Sequence, residues 1–227
     1  MDKGAINTSI KVFWACIFIL ALMFSMPAVS ATTNVSPTPG TYCPGKNVLL
    51  IKAEELSASL DLVISSRTAL LEKDMVTATY DLASAGTTLR LAASRGAAAR
   101  TIVLINAIIR SKKDENYEHM LEWFPLLQAS LTTLPSDATV SAASDLVGRA
   151  MDIMQGDEQG SDPLVPLKQA RHMLSCDDLV IPLDQAIHAQ KSLMMMLQDK
   201  PKATDYDNLI DSLRTALEYT LKNSQVY

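Results

Sequence analysis

The chain is 227 residues long with a formal net charge of −5; 48% of its residues are hydrophobic and only 5% aromatic. A nucleic-acid partner is excluded by this balance, because such a groove needs clustered Lys and Arg. The one local basic excess, Arg110-Ser111-Lys112-Lys113, is followed at once by Asp114 and Glu115. Abundant Ala and Leu with only 8 Gly speak for packed helices and against sandwiches or barrels, so the expected class is all-α, a multi-helix bundle or stacked helical hairpins.

The N-terminus carries Lys3 and Lys11, then an apolar run from Val12 to Met26, then Pro27 and Ala28-Val29-Ser30-Ala31. The run of 15 residues is short of the roughly 20 that a membrane-spanning helix needs. Val29 and Ala31 fit the small-residue pattern of a cleavage site. Residues 1–31 therefore read as a secretory signal peptide, and Cys16, inside the run, speaks against a lipoprotein anchor. The mature protein is expected to start near Thr32, periplasmic or secreted, with no membrane contact after cleavage. Cleavage removes Asp2, Lys3 and Lys11, which takes the net charge from −5 to −6 and leaves 196 residues. That length supports one domain with a real core. Residues 32–46, rich in Pro, Thr and Gly, read as an extended N-terminal tail, and residues 47–227 as a single helical domain.

Leu49, Leu50, Ala53, Leu56, Leu60, Val63 and Ile64 have the three-and-four spacing of an amphipathic helix over 47–71. Asp74 is placed to cap a second helix through Tyr80, Leu82, Leu89 and Leu91, with Arg95-Gly96 as its stop. At 101–109, TIVLINAII, β-branched density argues for a short strand while the flanking Ala97-Ala98-Ala99 and Lys112-Lys113 argue for a helix; the period does not decide. Asp114 can start a short helix through Met120, Leu121 and Trp123, which Pro125 should break or kink. Ser136 is the expected cap for a helix through Val140, Ala143, Leu146, Val147, Ala150, Met151 and Met154. After the loop 156–162, Pro163 or Pro166 opens a helix carrying Leu167, Ala170, Arg171, Leu174 and Cys176, and Pro182 opens another to Leu197. Thr204 and Asp207 suggest a capping box before a last helix with Leu209, Ile210, Leu213, Leu217 and Leu221 inward.

The mature chain keeps two cysteines, Cys43 and Cys176, an arrangement that in an oxidising compartment predicts one disulfide; the alternative is one buried and one exposed thiol. His172 and Cys176 share a helix face, but His119 and His188 stand at no fixed spacing to them, so no metal is expected. Asp177, Asp178, Asp205, Asp207 and Asp211 gather where helices begin, which the free amides and dipole there favour without any chemistry. The loop from Asp157 to Asp162 lacks the spacing of a calcium-binding loop. No nucleophile elbow, phosphate-binding glycine loop, HExxH or CxxC occurs, so the chain is read as no enzyme, with no cofactor. Met194, Met195 and Met196, together with Met151, Met154 and Met173, make the C-terminal half methionine-rich. Three consecutive Met cannot all face one core, so Met194, Met195 or Met196 is the expected interaction surface, for a second copy of the chain, another protein or a small apolar ligand.

Leu71-Glu72-Lys73-Asp74 with Ala78 and Leu82, TIVLINAII with Tyr117 after it, Val165-Pro166-Leu167, and Ile181-Pro182-Leu183-Asp184-Gln185-Ala186 together resemble the YfdX family of exported bacterial proteins. The resemblance spans roughly residues 48–221 and rests mainly on helix punctuation. It departs from the family at Lys73-Asp74, where the family has Gly-Asp, and in carrying the two cysteines. It implies a mainly helical periplasmic protein tied to stress responses, sometimes oligomeric, with ligand-binding or chaperone-like behaviour and no catalytic motif to carry over. The expected role is thus non-catalytic binding or stress protection. The competing expectation is an exported inhibitor or immunity protein that blocks a partner enzyme.

Overall fold

The computed structural model describes residues 37–112, 117–156, 161–199 and 201–225. The expected signal peptide and the expected start of a helix at Asp114 lie outside these residues. The described chain is all-helical: α1 (Lys46–Leu71), α2 (Met75–Ser94), α3 (Ala97–Ser111), α4 (Tyr117–Leu121), α5 (Phe124–Leu131), α6 (Ala138–Gln155), α7 (Leu164–Met173), α8 (Asp177–Met196) and α9 (Asp207–Ser224), with 3-10 turns at Leu197–Asp199 and Ala203–Tyr206.

Two hydrophobic cores organise these elements. The first is built by α1, α2, α8 and α9 and contains Leu56, Val63, Leu82, Leu89, Leu183, Leu193, Tyr206 and Leu213. The second is built by the intervening α3 to α7 and contains Ile105, Ile108, Phe124, Leu127, Val147, Leu167 and Leu174. The described residues between 97 and 174 thus form a lobe inserted between the second and third helices of a four-helix bundle. Among the described residues no single helix is long and apolar enough to cross a membrane.

The ambiguous segment 101–109 is helix, not strand. Thr101, Ile105 and Ile108 turn to the core at three-and-four spacing while Val103 is exposed, a pattern that only a helix produces. Asp74 accepts from the Thr77 amide at 3.0 Å and caps α2, and α2 ends at Arg95 with Gly96 at φ 98°. Other boundaries move. The cap of α6 is Asp137, not Ser136; its carboxylate accepts from Val140 N–H at 2.8 Å. The helix through Met120 and Leu121 does break ahead of Pro125, short of Trp123, and Pro125 is the second residue of α5, where its missing amide has no intrahelical partner to lose. Pro182 does not open α8: the helix begins at Asp177, because Cys176 is held from outside it, and Pro182 lies buried six residues in. Ahead of α9 the reciprocal pair is Lys202 with Asp205, not Thr204 with Asp207: Lys202 N–H donates to the Asp205 carboxylate at 2.7 Å, and Asp205 N–H to the Lys202 carbonyl at 2.9 Å. Leu50 and Ile64, part of the apolar spacing of α1, and Leu221, expected inward in α9, are exposed.

Candidate interaction surface and disulfide clasp

α1 and α2 approach closely because their shared face is lined by small and polar residues. Lys52, Ser59 and Ser66, seven apart, donate to the carbonyls of Ala92, Ala85 and Ala78, also seven apart and running the other way. Ser66 Oγ reaches Ala78 O at 2.7 Å and lies 2.9 Å from Tyr206 Oη; since Ser66 spends its hydrogen on Ala78, Tyr206 is the donor of that bond. On the other side of α2, Gln190 Nε2 donates to Leu82 O at 3.0 Å over Gly86. These bonds fix the polarity of the bundle. The C-terminal ends of α1 and α8 and the N-terminal ends of α2 and α9 share one end, where Arg67 also meets Asp207 at 3.3 Å.

The methionines divide by location. Met154 and Met173 are buried in the second core with Met151 against it, so they are packing residues of the inserted lobe. Met194 packs half-buried on the first core. Met195 and Met196 point away from the stripe of Leu183, Gln190, Leu193 and Leu197 and are 63% and 40% exposed. At the same end of the bundle stand Leu71, Val76 and Tyr80, all exposed.

At the opposite end, Cys43 and Cys176 are joined in a disulfide with Cα atoms 4.6 Å apart. Cys43 is exposed and Cys176 buried. The Tyr219 hydroxyl lies 3.2 Å from each sulfur. The segment before Cys43 is docked as well: Gly40 N–H donates to His172 O, Tyr42 N–H to Ser175 O, and Asp177 N–H to Gly40 O, each at 2.9 Å. The Asp177 carboxylate takes Ser175 Oγ at 2.6 Å and His172 Nε2 at 2.9 Å, and these hydrogen bonds hold its pKa below the usual carboxylate range.

Ser175, His172 and Asp177 are the residue types of a hydrolytic triad in the wrong order. The serine hydroxyl bonds the carboxylate and not the imidazole, so the His172 ring is not placed to take its proton as the base of such a triad does. Cys176 is bonded to Cys43 and offers no thiolate beside His172. Among the described residues no group of three or more His, Cys, Asp or Glu is placed to hold a metal. The Asp157–Asp162 loop lies largely outside the described residues. The polar ladder between α1 and α2 escaped sequence reading, although Ala78, Ala85 and Ala92 announce it by their spacing of seven. The chain matches no protein-family model, no curated protein and no solved structure.

Proposed function

We propose that the chain is an exported periplasmic protein without catalytic activity, whose methionine-bearing end binds apolar segments of partly unfolded polypeptides in a stress-protection role. One observation carries the reading: Met195 and Met196 are exposed on the outer side of α8, at the bundle end that also exposes Leu71, Val76 and Tyr80. Single exposed apolar residues are ordinary on any protein, but several at one end of a bundle are less so. Methionine's flexible, polarisable side chain suits a surface that must fit many apolar shapes. The disulfide fits an oxidising compartment, and the resemblance to the YfdX family points the same way.

The test is Met195→Lys with Met196→Lys in the exported chain, scored by suppression of aggregation of a reduced, unfolded client. Retained helical circular dichroism with lost suppression supports the reading. Unchanged suppression removes it, and tight one-to-one capture of a single enzyme would favour an inhibitor. Export has its own check: mass spectrometry of the secreted protein should find an N-terminus within a few residues of Thr32, and recovery of the intact chain in the membrane fraction would overturn it.

A further inference from the structure

The two lobes are joined narrowly. One chain crossing is the Arg95-Gly96 turn, where α2 and α3 bend by 105° and Gly96 takes φ 98°. The other is Leu174-Ser175-Cys176, between α7 and α8. Among the described residues, α2 against α3 across that bend is the one substantial helix-to-helix contact between the lobes. The cores remain separate.

A strap crosses this junction. Residues 37–45 leave the start of α1 in the bundle and hydrogen-bond through Gly40 to His172 at the end of α7 and through Tyr42 to Ser175. The Tyr42 ring packs on the second core, while Gly40 O accepts from Asp177 at the start of α8. The strap therefore touches both lobes at their narrow junction, and Cys43 fastens it covalently to Cys176.

We propose that the Cys43–Cys176 disulfide is a redox latch on the hinge between the lobes, opened by an exported dithiol reductant. The exposures make the attack directional. A reductant thiolate reaches Cys43 Sγ, forms a mixed disulfide there and breaks the Sγ–Sγ bond. Cys176 leaves with the electron pair as a thiolate, toward which the Tyr219 hydroxyl donates a hydrogen bond, and is then protonated. The reductant's second thiolate attacks its own mixed-disulfide sulfur and releases Cys43. The reductant ends as a disulfide, having given two electrons, and the protein holds two thiols. Among the described residues the strap is then kept by its three backbone hydrogen bonds, the Tyr42 ring and the Tyr219–Cys43 hydrogen bond, none of them covalent, and the lobes are free to reorient.

Hydrogen exchange of the full exported chain, oxidised and after dithiothreitol, tests the latch. Reduction should speed exchange at the Gly40, Tyr42 and Asp177 amides at least tenfold and leave the interiors of α1, α2, α6 and α9 unchanged; small-angle scattering should broaden, and reoxidation should reverse both. Unchanged protection at those amides would overturn the latch. Loss of protection in both cores together would make the disulfide a staple for the whole fold and overturn it equally. A second variant leaves both cysteines in place: Gly40→Ala puts a Cβ onto the Asp177 carboxylate at φ 78°, so it should loosen the strap in the oxidised protein without opening the cores. No change there would show that the strap does not depend on this contact. Tyr219→Phe should slow reduction by dithiothreitol several-fold, and an unchanged rate would remove Tyr219 from the mechanism.

Discussion

Lys52 shows how much a single residue can reveal about the interior. It is 2% exposed, and its ammonium donates to the Ala92 carbonyl near the C-terminal end of α2, where the helix dipole favours a cation. Burial nonetheless pulls its pKa down to about 8, with the Glu55 carboxylate pushing the other way and Arg95 adding to the fall. Between pH 8 and the ordinary value of 10.5 the folded chain holds less of this proton than the unfolded chain does, so unfolding takes up a proton and stability rises with pH. The full effect is of order 3 kcal/mol. Burial raises Tyr206 and Tyr219 above 10.0, which reverses the slope beyond that pH. Urea unfolding at pH 7, 8, 9 and 10 should therefore show increasing stability, and Lys52→Met should flatten the trend. A flat wild-type profile would mean that water reaches the amine. Lys52→Met should also fold at least as well as wild type at pH 7, because an apolar side chain there removes the desolvation cost, and Arg95 N–H still bonds Ala92 O at 3.3 Å.

Among the elements, α2 gives the sharpest contrast. Gly86 lies in its interior, where Ala normally gains up to about 1 kcal/mol. A Cβ at Gly86, however, would displace the buried Gln190 amide from Leu82 O. Gly86→Ala is expected to lower the melting temperature, whereas Gly148→Ala in α6, with open space around it, should raise it. In a cycle with Gln190→Ala, the Gly86→Ala penalty should vanish; a penalty that persists would put its cause in the backbone. The same helix explains what the sequence made legible. The stop at Arg95-Gly96 and the cap at Asp74 are chemical punctuation that acts within three residues, so both were readable. The inward face of α1 was readable only in part: Leu49, Ala53, Leu56 and Val63 are buried as their spacing required, whereas Lys52, Ser59 and Ser66 are polar and look like solvent positions until α2 supplies three alanine carbonyls to receive them. Leu50 and Ile64 were misplaced because each follows a core residue, Leu49 and Val63, by one position and is turned about 100° away from it. The exposed Met195 and Met196 followed from geometry alone, since consecutive residues on a helix lie 100° apart. Whether the opposite end would be clasped was readable only as far as the count of two cysteines beyond residue 31 allowed; the docking of Gly40 and Tyr42 depends on the α7–α8 connection, which lies about 130 residues away in sequence.

For the whole molecule, the insertion of one helical core between the second and third helices of another determines how it should unfold. Each core buries its own apolar surface, and the covalent link across the 133-residue separation constrains the unfolded chain as well as the hinge. On the chain-entropy account a loop of that length contributes about 4 to 5 kcal/mol, an upper figure since measured disulfides often give less. In a domain of this size each kcal/mol moves the melting temperature by about 2 to 4 °C, so reduction should lower it by several degrees and at most by roughly 20 °C. Reduction should also change the shape of the transition. With the strap fastened, opening one lobe pulls on the junction of the other, and scanning calorimetry of the oxidised protein should give a single peak whose calorimetric and van't Hoff enthalpies agree. With Cys43 and Cys176 reduced, the bundle and the inserted lobe are joined by two short chain crossings, and the peak should split or its van't Hoff enthalpy fall below the calorimetric one. A single cooperative peak displaced to lower temperature would show instead that the Gly96 and Ser175 crossings couple the lobes by themselves, leaving the disulfide with an entropic role alone.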